Sequence, residues 1–178
     1  MKVASHLLKL YSDLGAKAQI LDLCSLSLSD AVGGDYLKGP KGSFQQAVER
    51  VSAAEGLVVV VPEYNGSYPG ILKLFIDYWK YPESFEHRPI AMVGLGYRWG
   101  GLRPVEHLQQ VFGYRNSYVF PNRVFLQNIG NVLKNDQIVD PVLGELLAVQ
   151  SREFLKFIHG LQLKELDANT KLLSTKKK

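Results

Sequence analysis

Residues 56–62 read Gly-Leu-Val-Val-Val-Val-Pro, a continuous β-branched run that ends at a proline. Such runs are typical of strands that are buried on both faces of a parallel sheet. Residues 89–94, Pro-Ile-Ala-Met-Val-Gly, form a second run of this kind. Helical patterns follow each run, from Pro69 to about Lys80 and from about Leu102 to Phe112. The alternation of strands and helices predicts an α/β fold with a parallel sheet covered on both faces.

The same reasoning extends the fold toward both ends of the chain. Apolar residues recur at helical spacing near the start and near the end, and short apolar segments between them resemble strands. The segments predicted in this way are a helix over 3–14, a strand over Ala18–Leu23, a helix over about Ser43–Glu55, one or two strands over Val119–Gln127 and a last helix over about Asp140–Leu161. A Ser- and Gly-rich connection, Cys24–Gly42, separates the early strand from the second helix.

Composition restricts the class of protein. The chain has 178 residues, of which 46% are hydrophobic and 21% charged, as expected for one globular domain. No apolar run approaches the roughly 20 residues that span a membrane. Cys24 is the only cysteine, which excludes an internal disulfide and a Cys-rich metal site and favours a cytoplasmic location. No metal site is predicted, because the histidines are scattered.

Charge concentrates at the end of the chain. Residues 167–178 contain four lysines and one aspartate, so we predict a domain over 1–166 and a flexible basic tail over 167–178. The remaining residues are close to neutral, which argues against a nucleic-acid partner.

Ligands of open parallel sheets bind beyond the carboxyl ends of the strands. This rule directs attention to the loops at 62–68 and 94–101, both rich in glycine and aromatic residues. The second loop contains a Gly-x-Gly-x-x-x-Gly pattern, one residue longer than a Rossmann dinucleotide loop, and Gln127 and Asn128 stand where that fold expects an acidic residue. An NAD-binding Rossmann enzyme therefore remains an alternative.

The first loop carries a specific likeness. Residues 62–70, Pro-Glu-Tyr-Asn-Gly-Ser-Tyr-Pro-Gly, and the helix after them through Trp79 resemble the P-E-Y-N-x-S-x-P-G-x-L-K-x-x-I-D-W signature of the NADPH-dependent FMN reductase-like family. Gly100 and Gly101 resemble the Gly-Gly turn of that family. The resemblance implies a flavodoxin-like three-layer α/β/α sandwich of strand order 2-1-3-4-5. It also implies FMN as cofactor, NADPH or NADH as co-substrate, and a quinone, azo compound, flavin or similar acceptor.

The resemblance also implies a site and an assembly. The cofactor would be held by both loops, without a catalytic side chain, because the flavin itself transfers the hydride. The residues assigned to this role are Pro62, Glu63, Tyr64, Asn65, Gly66, Gly94, Leu95, Gly96 and Tyr97. Arg98 and Arg103 are either ligands of the NADPH 2′-phosphate or solvated residues. A homodimer or homotetramer is expected, and Tyr78, Trp79 and Trp99 are candidate contacts, the first two also being candidates for the core.

One feature departs from the family pattern. Relatives begin with a hydrophobic strand and a Ser-rich loop that binds the FMN phosphate, whereas Met1 falls within the first predicted helix. We expect an N-terminally shortened chain, without the first strand of the 2-1-3-4-5 order, that binds FMN weakly or not at all. The alternative function is a non-catalytic flavodoxin-like interaction module.

Overall fold

The computed structural model describes residues 1–34, 37–134 and 137–175. Two short 3-10 segments, Leu23–Ser25 and Leu28–Gly34, lie within the Ser/Gly-rich connection. The helices are α1 (Lys2–Asp13), α2 (Gly42–Ala53), α3 (Gly70–Asp77), α4 (Leu102–Tyr114), α5 (Ile129–Val132), α6 (Pro141–Leu163) and α7 (Ala168–Thr175). The strands are β1 (Leu57–Pro62), β2 (Pro89–Gly96), β3 (Tyr118–Val119), β4 (Val124–Gln127), β5 (Leu133–Lys134) and β6 (Gln137–Ile138).

The main sheet is parallel and centred on β2. Strand β1 pairs with β2 along its whole length, with Leu57 opposite Ile90 and Pro62 opposite Leu95. On its other side β2 pairs in parallel first with β3 and then with β4. Strands β5 and β6 form a separate antiparallel hairpin. The two β-branched or apolar runs of the sequence are therefore adjacent strands, and the parallel sheet predicted from them is confirmed.

Two helical layers cover this sheet. Successive side chains of β2 point to opposite faces, so Ile90 and Met92 enter one core while Ala91 and Val93 enter the other. Helices α2, α3 and α4 supply the first core, and α1 and α6 supply the second. The α/β/α sandwich is confirmed.

Helix α6 is capped at its start and hydrogen-bonded to the sheet at its middle. Asp140 Oδ1 accepts hydrogen bonds from the N–H groups of Val142 (2.9 Å) and Leu143 (3.0 Å), and Pro141 occupies the first turn. The buried Gln150 donates through Nε2 to the carbonyl of Met92 at 3.0 Å, which ties the helix to β2. Among the described residues, no helix combines the length and apolar character needed to cross a membrane.

The strand predicted over Ala18–Leu23 is wrong. Residues 16–22 form no ladder, although Ala18 packs on the α1–α6 side and Leu21 on the α2–α4 side. The guanidinium of Arg50 donates to the carbonyl of Ile20 at 2.9 Å. Apolar spacing predicts which side chains are buried, but a strand also needs a neighbour for its backbone, and within the described ranges β1 pairs only with β2.

The described part of the predicted tail is ordered by packing. Residues 168–175 form α7, and Asp167 and Ala168 at its start are buried. The fully buried Arg88 donates to Asn169 Oδ1 at 3.2 Å and to the carbonyls of Ser52 (2.8 Å) and Glu83 (2.7 Å). This buried cation joins α7 to the domain, and residues 176–178 lie outside the described residues.

Candidate functional site

The loop after β1 contains a tight turn at Tyr64–Ser67. The N–H of Tyr64 donates to the Ser67 carbonyl at 2.8 Å, and the N–H of Ser67 donates back to the Tyr64 carbonyl at 3.0 Å. Asn65 and Gly66 have positive φ angles of 51° and 76°. Positive φ at both central positions is the condition that favours Asn-Gly in a turn of this kind. The Asn-Gly pair of the motif therefore fixes the shape of the loop.

The loop after β2 lies directly beside this turn. The N–H of Glu63 donates to the Leu95 carbonyl at 2.8 Å. This bond extends the contact between the two segments past the end of the β1–β2 ladder. A Cβ atom on Gly96 would lie 3.1 Å from Glu63 Oε2, so the Glu63 carboxylate packs against the backbone of the second loop. The two loops therefore form one continuous edge at the carboxyl ends of adjacent strands.

The glycines of the second loop allow its two ends to touch. A Cβ on Gly101 would lie 2.5 Å from the Leu95 nitrogen, and a Cβ on Gly94 would lie 2.6 Å from the Gly100 carbonyl oxygen. Gly101 also has a φ of 79°, in the left-handed region. The start of α4 thus packs against the end of β2 at a distance that excludes side chains.

The end of β4 braces the second loop from the other side. The N–H of Asn128 donates to the Gly96 carbonyl at 2.9 Å, and Gln127 Nε2 donates to the Arg98 carbonyl at 2.5 Å. In the sequence these two residues are notable only as replacements for an acidic residue. The structure gives them a supporting role, because each one fixes a backbone oxygen of the loop.

Helix α4 supports the first loop through two side chains one turn apart. The guanidinium of Arg103 lies over Gly66, with Nη1 3.1 Å from the position of a Cβ there. His107 Nδ1 is 2.9 Å from Ser67 Oγ, and its ring meets Tyr68 edge-on at 6.4 Å between centroids. In the sequence His107 is only one of the scattered histidines. The i, i+4 spacing from Arg103 was the available signal that both share a helix face.

Hydrogen-bond donors remain free along this edge. Pro62 has no N–H, and the N–H groups of Glu63, Tyr64 and Ser67 are used within the loops. Those of Asn65 and Gly66 have no acceptor in the part of the chain that the structure describes, and the same holds for the N–H of Tyr97. Of the residues predicted between 62 and 66, Asn65 and Gly66 are therefore the ones whose backbone N–H can donate to a ligand.

Flat apolar surfaces border these donors. The side chains of Tyr64, Tyr97 and Trp99 are 61%, 83% and 62% exposed. A planar aromatic molecule with acceptor atoms along its rim suits such an edge, because the rings offer stacking surfaces and the backbone offers donors. The isoalloxazine ring of FMN, with carbonyl oxygens on its pyrimidine end, is a group of this shape and fits these residues.

The structure brings the predicted site residues together and separates other candidates from them. All residues predicted from the two loops, 62–66 and 94–97, lie on the shared edge. Arg98 and Arg103 are exposed and carry no ion pair within the described residues. Tyr78 and Trp79 are only 6% and 8% exposed and belong to the core, where Trp79 stacks on Phe112. Those two are therefore not surface contacts, and Trp99 is the exposed candidate.

Within the described ranges, no group of three or more His, Cys, Asp or Glu side chains could hold a metal ion.

A family model for the NADPH-dependent FMN reductase matches residues 1–131. The chain belongs to this family. Membership implies FMN as cofactor and NAD(P)H as co-substrate, and the quoted motif of the first loop lies inside the matched region.

Characterised relatives agree with this assignment. The quinone reductase of Escherichia coli K12 is 32% identical over 114 residues, which cover 62% of this chain and 57% of that protein. An NAD(P)H-dependent FMN reductase of Pseudomonas aeruginosa is 39% identical over 132 residues, covering 72% of this chain and 68% of the relative. The chain thus spans little more than half the length of the E. coli relative.

Solved structures support the fold. The flavoenzyme NAD(P)H:(acceptor) oxidoreductase FerB from Paracoccus denitrificans superposes with a TM-score of 0.71 at 20% identity, covering 89% of this chain and 88% of that one. An apo NADH:FMN oxidoreductase gives a TM-score of 0.65 at 18% identity, with coverages of 86% and 79%. The flavodoxin-like architecture is confirmed.

Proposed function

We propose that this chain binds FMN along the edge formed by the two loops and works as an NAD(P)H-dependent FMN oxidoreductase. The observation that carries the proposal is the pair of backbone N–H groups at Asn65 and Gly66, which find no acceptor among the described residues and lie in a family motif beside the exposed rings of Tyr64 and Tyr97. When bound, FMN supplies the hydride chemistry between NAD(P)H and a quinone, azo compound, flavin or similar acceptor.

The residues of the chain contribute orientation and electrostatics. The N–H groups of Asn65 and Gly66 point their partial positive charge at the ligand rim, which favours negative charge there. Because the turn is closed by its own hydrogen bonds and held by His107, these donors need no reorganisation when charge develops. No side chain is required as a general acid or base.

We also propose that the chain forms a homodimer or homotetramer in the cytoplasm. The exposed Trp99, next to the exposed Tyr97, supports an interface close to the cofactor site, since large exposed aromatic side chains are enriched in protein interfaces.

The first test is an FMN titration followed by quenching of flavin fluorescence. We expect weak but saturable binding, which Gly66→Val weakens at least tenfold further, because a β-branched residue at a φ of 76° opens the turn. Gly39→Val is the matched control: Gly39 has a φ of 70°, lies outside the two loops, and has no atom of the described residues within 4 Å of a new Cβ. Equal loss in both variants would mean that destabilisation, rather than the turn, controls binding.

Turnover is then measured with NADPH and with NADH, using a water-soluble quinone as acceptor. Flavin-dependent oxidation of either nucleotide supports the enzyme. Saturable nucleotide oxidation without flavin would instead support the Rossmann alternative, and absence of both FMN binding and turnover would favour the non-catalytic interaction module.

A further inference from the structure

A second concave site lies on the β4 side of the second loop, away from β1. It is a cavity of about 610 Å3 with three walls: the second loop at Tyr97 and Arg98, the end of β4, and the start of α6. This volume lies within the range of about 300–1,000 Å3 typical of small-molecule sites. The proposed flavin edge, by contrast, lies between this loop and the loop after β1.

The walls of the cavity combine aromatic and aliphatic side chains with polar ones. Tyr97 and the half-buried Phe125 provide ring surfaces, and Val142 and Leu143 provide aliphatic surface from α6. Such a lining favours a flat apolar ligand over a flexible polar one. Tyr97 lines this cavity and also belongs to the residues assigned to the flavin site, so the two sites would be neighbours.

The cavity is lined by one carboxylate, Asp140, and one guanidinium, Arg98. Asp140 is engaged at the N-terminus of α6, where its Oδ1 accepts from the N–H groups of Val142 and Leu143 at 2.9 and 3.0 Å. The helix N-terminus is therefore already supplied with a negative charge. Arg98 is exposed, and its guanidinium has no hydrogen bond or ion pair within the described residues. Its backbone is fixed, because the carbonyl accepts from Gln127 Nε2 at 2.5 Å.

We propose that this cavity binds a planar aromatic molecule with one anionic group. The anion lies on the Arg98 guanidinium, and the ring lies against Tyr97, Phe125 and Leu143. Arginine suits this role, because its planar array of N–H donors matches the oxygens of a carboxylate or sulfonate. The inference concerns a binding site of its own and holds whether or not FMN is bound.

The test is a calorimetric titration of the flavin-free chain at low ionic strength with three probes of similar shape. They are 2-naphthalenesulfonate, neutral 2-naphthol and cationic 2-naphthylmethylammonium. We expect the sulfonate to bind about tenfold more tightly than the neutral probe and the cation to bind most weakly. Added salt should reduce the difference between the probes, because the pair with Arg98 is partly exposed to solvent.

Two arginine variants locate the anion. Arg98→Gln should weaken the sulfonate about tenfold and leave 2-naphthol unchanged, whereas Arg103→Gln, at another exposed arginine with no ion pair among the described residues, should change neither. Leu143→Ala should weaken both probes, and its melting temperature shows whether it remains folded. Absence of saturable sulfonate binding, equal losses in the two arginine variants, or tightest binding of the cation would each overturn the proposal. FMN binding plays no part in these titrations, so their failure is separate from failure of the proposed function.

Discussion

Replacement of Gly101 by alanine tests the close approach between β2 and α4. The new Cβ would lie 2.5 Å from the Leu95 nitrogen and 2.9 Å from two Gly94 backbone atoms, where ordinary contacts are 3.4–4 Å. The loop must therefore shift by about 1 Å, and overpacking of this kind costs about 1–3 kcal/mol. The left-handed φ of 79° adds about 1–2 kcal/mol for a residue with a Cβ. Together these terms predict a loss of about 2–5 kcal/mol in the free energy of unfolding.

The assay is thermal unfolding of Gly101→Ala beside a matched control, Gly144→Ala. In a chain of this length 1 kcal/mol corresponds to about 2–4 °C, so Gly101→Ala should lower Tm by on the order of 10 °C. Gly144→Ala, inside α6 with no atom of the described residues within 4 Å of the new Cβ, should raise Tm by about 2 °C through its better helix propensity. If Gly101→Ala melts within about 2 °C of the wild type and binds FMN equally well, the argument from close approach is refuted.

Three further predictions rest on single contacts. Ser67→Ala should weaken FMN binding about threefold to fivefold with a change in unfolding free energy below about 1 kcal/mol, since its bond to His107 is exposed, whereas Ser67→Thr should retain affinity. Arg88→Met should cost about 3–5 kcal/mol in denaturant unfolding and speed amide exchange in α7, because three partly buried acceptors lose the donor that the fully buried Arg88 supplies; unchanged exchange there would contradict the role of this residue. Hydrogen bonds from the Ser43 hydroxyl and N–H hold the pKa of Asp30 below its ordinary value of 3.8, so this carboxylate stabilises the fold above that pH and its contribution is lost as pH falls through the lowered pKa. In thermal melts, Asp30→Asn should therefore lose less stability than the wild type between pH 7 and pH 3. Equal losses would show that another group controls the loss of stability at acid pH.

The sequence predicted those parts of the fold that depend on local pattern. The β-branched run at 56–62 and the Pro-led run at 89–94 became adjacent parallel strands, because continuous apolar runs can be buried only where both faces are covered. The strand predicted over Ala18–Leu23 is wrong because strand pairing depends on a neighbouring strand, which the residues of the segment itself do not specify. The contact of α7 with the domain could not be predicted for a related reason: it depends on Arg88, which is distant in sequence and whose burial only the structure shows.

The candidate site likewise contains features that the sequence can predict and contacts that only the structure shows. The Asn-Gly pair and the glycines at 94 and 101 could be assigned to close turns from sequence, because their conformations need those residue types. The contacts of Ser67 with His107 and of Gln127 with Arg98 could not, because each one joins segments that meet only in the folded chain. Which N–H groups remain free for a ligand likewise required the structure, since the motif does not show that the Tyr64 N–H is used inside its own turn.

These contacts explain how two short, mostly exposed loops can hold a fixed arrangement of donors. A free N–H is useful to a ligand only if its direction is set before binding, since ordering a loop on binding costs free energy. The Tyr64–Ser67 turn is closed by its own backbone bonds and is held from α4. The second loop is fixed on one side by the close approach of Gly94 and Gly101, and on the other by the hydrogen bond from Gln127 to the Arg98 carbonyl. Each loop is thus fixed from a neighbouring element as well as from within. Substitutions at these supports should therefore lower ligand affinity even though none of the supporting side chains needs to touch the ligand.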